Sequence, residues 1–313
     1  MMKPIGKGAK VQAAGATVPV PLAREDARTR PRPFWRMVVG RLLRHPTGRI
    51  GCVLVGIIVL GAAFAPLLAP AGPLDQARGM ELGGFSLAHP FGTDELGRDI
   101  FSRVLYGARL SVGVSFLAVL AGALTGSTFG IVAGYIGGVV DTIVTRVLDV
   151  LLAFPAILLG IAVAAVFGTG VKGIVIAIGI ASVPDFARIA RASAITERER
   201  DYIAAARSIG ASSGSIMRRH LLPNVVPPLL IQLSIALSFA VLLEAGLSFL
   251  GLGVQPPQPS WGSMLQVART YLYQVPSYVM IVGLALSMLL IGFNFLADAL
   301  RDILDPRLNR ELR

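Results

Sequence analysis

Charge is scarce in this 313-residue chain, with 15% of residues Asp, Glu, Lys or Arg against 54% hydrophobic. A soluble domain keeps about a quarter of its residues charged to cover its surface, so this composition excludes an ordinary water-soluble globule and calls for lipid as the outer solvent. Cysteine is nearly absent: Cys52 stands alone in an apolar run, which excludes an intrachain disulfide and leaves the redox compartment open. The three histidines, His45, His89 and His220, fall in segments assigned below to opposite membrane faces, and no metal site is expected from them. Aromatics amount to 7% and do not interleave with the basic residues, so the net charge of +11 does not indicate nucleic acid. No phosphate loop is present either. Gly168, Gly170 and Gly173 surround Lys172 at the wrong spacing, with no Ser or Thr after the lysine. With no nucleophile and base pairing, the chain reads as neither an enzyme nor the holder of a cofactor.

What is present is a series of uncharged intervals long enough to cross a bilayer. They run over residues 50–74, 110–140, 150–171, 221–243 with an apolar continuation to Gly253, and 270–297. A further interval, Gly173–Pro184, has only 12 residues before Asp185 and crosses only if it borrows the stretch toward Ala194. Charge distribution argues for it. Basic residues are concentrated before the first span, between the fourth and fifth (Arg188, Arg191, Arg198, Arg200, Arg207, Arg218, Arg219), and at the C-terminus. Six spans put all three basic segments on one face, the cytoplasmic one, and the acidic segment with Asp75, Glu81, Asp94, Glu95 and Asp99 on the other. Five would not. The first apolar run reads as an uncleaved span, since it begins near residue 50 and is followed by proline rather than a small-residue cleavage site.

Residues 1–33 lack helical periodicity and are expected to be a disordered basic cytoplasmic tail, setting topology or meeting anionic lipid. The second span carries Gly122, Gly126, Gly130 and Gly134 at fourfold spacing, a face on which a neighbouring backbone packs or slides. Pro155 is expected to kink the third span. Glu244 lies deepest in an apolar run and is a candidate translocation-pathway residue or a structural, hydrogen-bonded acid, with Asp149, Asp185 and Asp141 nearer span ends. Asp185 is expected to pair with Arg188; facing a channel, it would favour cationic cargo.

Two blocks carry a resemblance. Residues 201–224 read DYIAAARSIGASSGSIMRRHLLPN, in which Ala205, Ala206, Gly210, Leu222 and Pro223 match the spacing of the EAA loop of binding-protein-dependent ABC importers, with Ala204 in place of its glutamate. From spacing alone, a helix over about 199–209 presents Tyr202, Ala206 and Ile209 on one face, Gly210 makes the turn, and a second helix runs from near Ser213 to before Pro223. The block 89–109, HPFGTDELGRDIFSRVLYGAR, resembles the C-type permease of dipeptide, oligopeptide and nickel importers, as do DVLLAFP at 149–155, the block 244–262 and DALRDILDPR at 298–307. Thr93 is expected to cap a short external helix over 94–106, which would lie at the membrane surface, plug the outer mouth or meet a solute-binding protein.

The resemblance implies an all-α membrane protein of the type I ABC importer permease fold, with six transmembrane helices and both termini cytoplasmic. Its expected parts are an amphipathic segment and first helix over 34–75, an extracytoplasmic segment over 76–109, and a five-helix core over 110–308 that includes a coupling loop at 195–224. Expected partners are a second, homologous permease, two ATP-binding subunits that use ATP and Mg, an extracytoplasmic solute-binding protein and lipid. The implied cargo is a short peptide, with nickel or another small solute as the alternative, in a bacterial cytoplasmic membrane. The rival class is an ion-coupled secondary transporter or channel, which would use acids such as Glu244 as proton sites but leaves the 201–224 block unexplained.

Overall fold

The structure, a computed structural model, describes residues 34–304. The expected tail, residues 1–33, and the last residues of the expected core, 305–308, lie outside the described residues. Twelve α-helices follow one another there: α1 (Phe34–Leu42), α2 (Pro46–Ala63), α3 (Ala65–Leu68), α4 (Ile100–Ile136), α5 (Gly138–Leu152), α6 (Ala156–Phe167), α7 (Val171–Arg198), α8 (Asp201–Ser208), α9 (Ser213–Ile216), α10 (Leu222–Phe249), α11 (Trp261–Thr270) and α12 (Pro276–Leu304). A π-helical turn, Met217–Leu221, joins α9 to α10. Five helical stretches are long and apolar enough to cross a membrane, and six if the bent pair α5 and α6 counts as one span.

Sequence explains where these helices start and stop. Pro46 opens α2 at a position whose N–H would be unbonded in any case. Asp99 caps α4, its carboxylate accepting from the Ser102 backbone N–H and hydroxyl at 2.7 Å each. Gly137, at φ 73°, ends it in a conformation that only glycine adopts cheaply. Ser260 and Ser263 form a capping box at the start of α11.

Three expectations are corrected. The third span is not one kinked helix over 150–171: α5 and α6 meet at 93° across residues 153–155. Pro155 has no N–H to donate and disfavours helical backbone at Phe154, so the helix stops instead of bending. No separate external helix exists over 94–106, and Thr93 is not a cap. Gly97 takes φ 72° and forces a turn, the helix begins at Ile100, and it runs on without interruption as α4. Nor is the stretch from Ser213 to Pro223 one regular helix: it is α9 followed by the π-helical turn, and Pro223 starts the next segment in the first turn of α10, where a missing N–H costs nothing. The short fourth interval proves to be the first half of α7, a 28-residue helix whose Arg188 and Arg191 pair with acids of α5.

The core is assembled around α4 and α7. Gly122, Gly126, Gly130 and Gly134 of α4 lie on the backbone carbonyls of Gly179, Val183, Ala187 and Arg191 of α7, fourfold spacing meeting fourfold spacing. A Cβ at Gly122 would stand 2.7 Å from the Gly179 carbonyl, well inside van der Waals contact. At the end of the bundle bearing the acidic segment, Trp261 of α11 is fully buried against Gly107 and donates its indole N–H to the Val104 carbonyl at 3.0 Å. Beside it the segment before α4 is knotted by charge. Asp94, fully buried, accepts from the Leu96 and Arg98 backbone N–H groups at 2.9 Å each, from Arg98 Nε at 2.7 Å, and pairs with Arg103 at 3.2 Å. Such a burial is tolerable because both oxygens of the carboxylate are hydrogen-bonded and two guanidinium groups offset its charge.

Candidate coupling knob and translocation path

The knob at the basic end of the bundle is α8, the Gly210 turn, α9 and the π-helical turn. Its inner side is apolar: Ile203, Ala206, Ile216, Leu221 and Val225 pack with Ile131 and Tyr135 of α4 and Ala190 of α7. The inward face of α8 is thus Ile203 and Ala206, at i and i+3. Of the three residues expected on one face, Ala206 is buried while Tyr202 and Ile209 are exposed: α8 ends at Ser208 and Gly210 turns at φ 80°, leaving Ile209 at 86% exposure. Ala205, Leu222 and Pro223 are also exposed. Tyr202, half exposed, donates to Glu197 Oε2 at 2.5 Å and accepts from Asn224 Nδ2 at 3.1 Å, fastening α8 to both α7 and α10. Burial first, then that bond to Glu197, push the Tyr202 phenol up. Arg198 donates to the Gly134 carbonyl at 2.9 Å, and Arg207 lies over the Tyr135 ring at 5.1 Å. The knob is therefore bolted to the glycine-packed pair while its tip, Ile209, has nothing to pack on.

The acids within the spans separate into different environments. Glu244 is fully buried between α10, α4 and the start of α11; Oε1 accepts from Ser248 at 2.8 Å, with Ser111 and Ser260 close by. Through these serines it links α10 to α4 and to the start of α11. Asp149, near the end of α5, pairs with Arg188 at 3.1 Å across exposed surface. That takes the partner expected for Asp185, because the 93° break sets α5 alongside α7, within reach of a long guanidinium stem. Asp185 is left exposed at the middle of α7, with no ion pair or hydrogen bond of its own among the described residues. Asp141 binds Arg191 through both oxygens, its Oδ2 at 2.6 Å from Nη2. Among the described residues no cluster of three or more His, Cys, Asp or Glu side chains could hold a metal.

Sequence reasoning missed α11 and the buried ring of Ser111, Ser248, Ser260 and Trp261, although the Ser-x-x-Ser capping pattern at 260–263 was there to be read. It also missed Ile203, which is buried beside Ala206 at i and i+3.

The fold defines an all-helical, multi-pass membrane protein with glycine-faced helices and an exposed knob at its basic end. The chain belongs to the binding-protein-dependent transport system inner membrane component family, whose model matches residues 126–310. Residues 33–90 match the N-terminal TM domain of oligopeptide transport permease C. It is 40% identical over 284 residues to the dipeptide transport system permease protein DppC of Alkalihalophilus pseudofirmus, covering 91% of this chain and 93% of that one. It is 41% identical over 296 residues to the glutathione transport system permease protein GsiD of Pectobacterium atrosepticum, covering 94% and 96%. Among solved structures, an inward-facing MetNI methionine ABC transporter chain is similar in fold, with a TM-score of 0.54 at 18% identity over 64% of this chain and 96% of that one. The chain is thus a multi-pass permease subunit of a bacterial inner membrane ABC transporter, without an ATPase or cofactor of its own, working with ATPase and binding-protein partners.

Proposed function

We propose that this permease imports short peptides by alternating access, paired with a second, unlike permease, and that residues 195–224 form its coupling loop. The observation that carries the coupling role is Ile209, a large apolar side chain held out in water on a turn whose other side is locked into α4, α7 and α10. A rigid apolar projection of that kind fits a groove on a partner. In this reading the basic tail, 1–33, and both termini are cytoplasmic, 34–75 anchors the chain, 76–109 meets the binding protein, and 110–308 is the moving core. ATP binding closes the ATPase pair, the knob follows, and the bundle turns its cavity from one face to the other.

Asp185 supports a peptide cargo. A carboxylate exposed at mid-span is too costly against hydrocarbon, so it faces the partner permease or the aqueous path between them, where it complements the ammonium group at a peptide's N-terminus. Glutathione is the second reading, favoured by the relatives named for its transport; it also carries a free ammonium.

Uptake of labelled dipeptide, tetrapeptide, glutathione and nickel is measured in cells lacking this chain and in the same cells with it restored. Peptide accumulation should be lost and regained, abolished by ATP depletion and not by an uncoupler. Restored uptake of glutathione or nickel alone would refute the peptide assignment and keep the importer; collapse of uptake with an uncoupler alone would refute ATP-driven import.

A further inference from the structure

Two adjoining cavities share one wall residue, Arg109. The larger, of about 610 Å³, lies among α2, α4, α10 and α12 and is otherwise apolar, lined by residues such as Val55, Val59, Phe116, Val241 and Phe293. The other, of about 420 Å³, opens toward the acidic end of the bundle and adds Tyr106 and Gln258 to Arg109. Among the described residues, none of these three polar side chains makes a hydrogen bond or ion pair within the chain.

Depth fixes the setting. The 37 residues of α4 extend about 55 Å, whereas the hydrocarbon layer is about 30 Å thick. Centred, the helix projects roughly 12 Å at each end, and Arg109, nine residues from the start, lies about 14 Å in. That is the boundary between headgroups and acyl chains, with the larger apolar cavity on the hydrocarbon side and the polar one on the water side.

We propose that these cavities hold one anionic phospholipid of the outer leaflet, its phosphate on Arg109 with Tyr106 and Gln258, and an acyl chain in the apolar groove. Charge complementarity selects the headgroup, since a guanidinium fork matches phosphate oxygens and this one has no competing carboxylate. The groove selects the tail. Its apolar walls offer a peptide's amides nothing to bond, whereas an acyl chain loses nothing there. The lipid would fill the gap between α2 and the α4–α10 core, completing a packing surface that the chain leaves open.

The test is native mass spectrometry of the whole transporter, assembled with its partners, stripped of lipid and then titrated with phosphatidylglycerol or phosphatidylcholine. Phosphatidylglycerol should be retained at least tenfold better than phosphatidylcholine. Arg109→Gln should reduce it to the phosphatidylcholine level. Gly113→Leu, at a position where an added Cβ meets nothing within 4 Å, should fill the groove and abolish retention of both lipids while the complex stays assembled. Equal retention of the two lipids, retention unaffected by both variants, or no retained lipid because the second permease covers the groove would overturn the proposal. So would displacement of the lipid by a tetrapeptide, which would make the cavity a cargo site.

Discussion

Replacing Gly126 by alanine sets two effects of opposite sign against each other. In an exposed helix the change is stabilising by about 1 kcal/mol, since alanine loses less backbone entropy than glycine. Here the new methyl group would fall on the Val183 carbonyl, with Phe186 Cβ at 3.0 Å and the Ala187 nitrogen at 3.2 Å. None of these is the free end of a flexible side chain, so relief requires α4 and α7 to move apart along their whole interface. Overpacking costs typically 1–3 kcal/mol, and contact with the backbone of α7 at two atoms places this case at the upper end. The net expectation is destabilisation by about 2 kcal/mol, roughly a thirtyfold change in the unfolding equilibrium. Gly56→Ala, where nothing lies within 4 Å, is the control and should be neutral or slightly stabilising. Gly130→Ala should behave like Gly126→Ala, and the double variant should cost less than the sum, because helices already separated accommodate the second methyl. Denaturant unfolding of the purified transporter, followed by tryptophan fluorescence, reads this directly. Gly126→Ala as stable as its parent would refute the backbone-on-backbone contact.

Gly210→Pro should leave membrane insertion intact and uncouple ATP hydrolysis from uptake, because proline fixes φ near −65° where the turn has +80°; normal coupled uptake would count against the knob as the coupling site. Ile209→Asp should leave stability within about 0.5 kcal/mol, being a surface change, yet lower ATP-driven uptake at least tenfold; unaltered uptake would remove Ile209 from the contact. Asp185→Asn should weaken uptake of peptides with free N-termini about tenfold, a loss of about 1.4 kcal/mol, and spare N-acetylated peptides; equal loss for both would refute the ammonium contact. Burial, then the neighbouring charge of Asp94, hold Glu95 above the usual carboxylate range, although Arg98 lies 2.6 Å away. The folded state therefore holds that proton more tightly than the unfolded chain. The stabilisation it supplies is complete at low pH and is lost as pH rises through the raised value. Thermal unfolding of wild type and Glu95→Gln across pH 4 to 7 should show the wild type losing ground to the variant as pH rises; the opposite trend would refute the assignment.

Most of the architecture was legible because lipid imposes it. A helix must run about 20 apolar residues to cross, so uncharged intervals marked out an all-helical membrane bundle of five or six spans. The glycine ladder was equally plain, since fourfold spacing has one geometric meaning on a helix. What escaped was local competition between neighbours. Pro155 broke a helix while Pro184, Pro223, Pro227 and Pro228 were all absorbed inside or at the start of one, and nothing in a proline's own identity separates these cases. Asp185 lost Arg188 to Asp149, 39 residues earlier than that arginine, because a break elsewhere in the chain moved α5 into reach. The burial of Ile203 escaped as well, since spacing alone does not say which face of a helix as short as α8 turns inward.

The backbone contact between α4 and α7 has a mechanical consequence. Helices that touch through flexible side chains yield under load, whereas two chains resting carbonyl to glycine have no slack and behave as one beam. One end of that beam holds the Ile203 and Ala206 seat, and the other carries Asp99 and the Trp261 wedge. A tilt of about 5° over the roughly 55 Å of α4 shifts one end by about 5 Å relative to the other. Leverage of that size needs no rearrangement of the core, so a small rocking of the tip is delivered undamped at the far mouth.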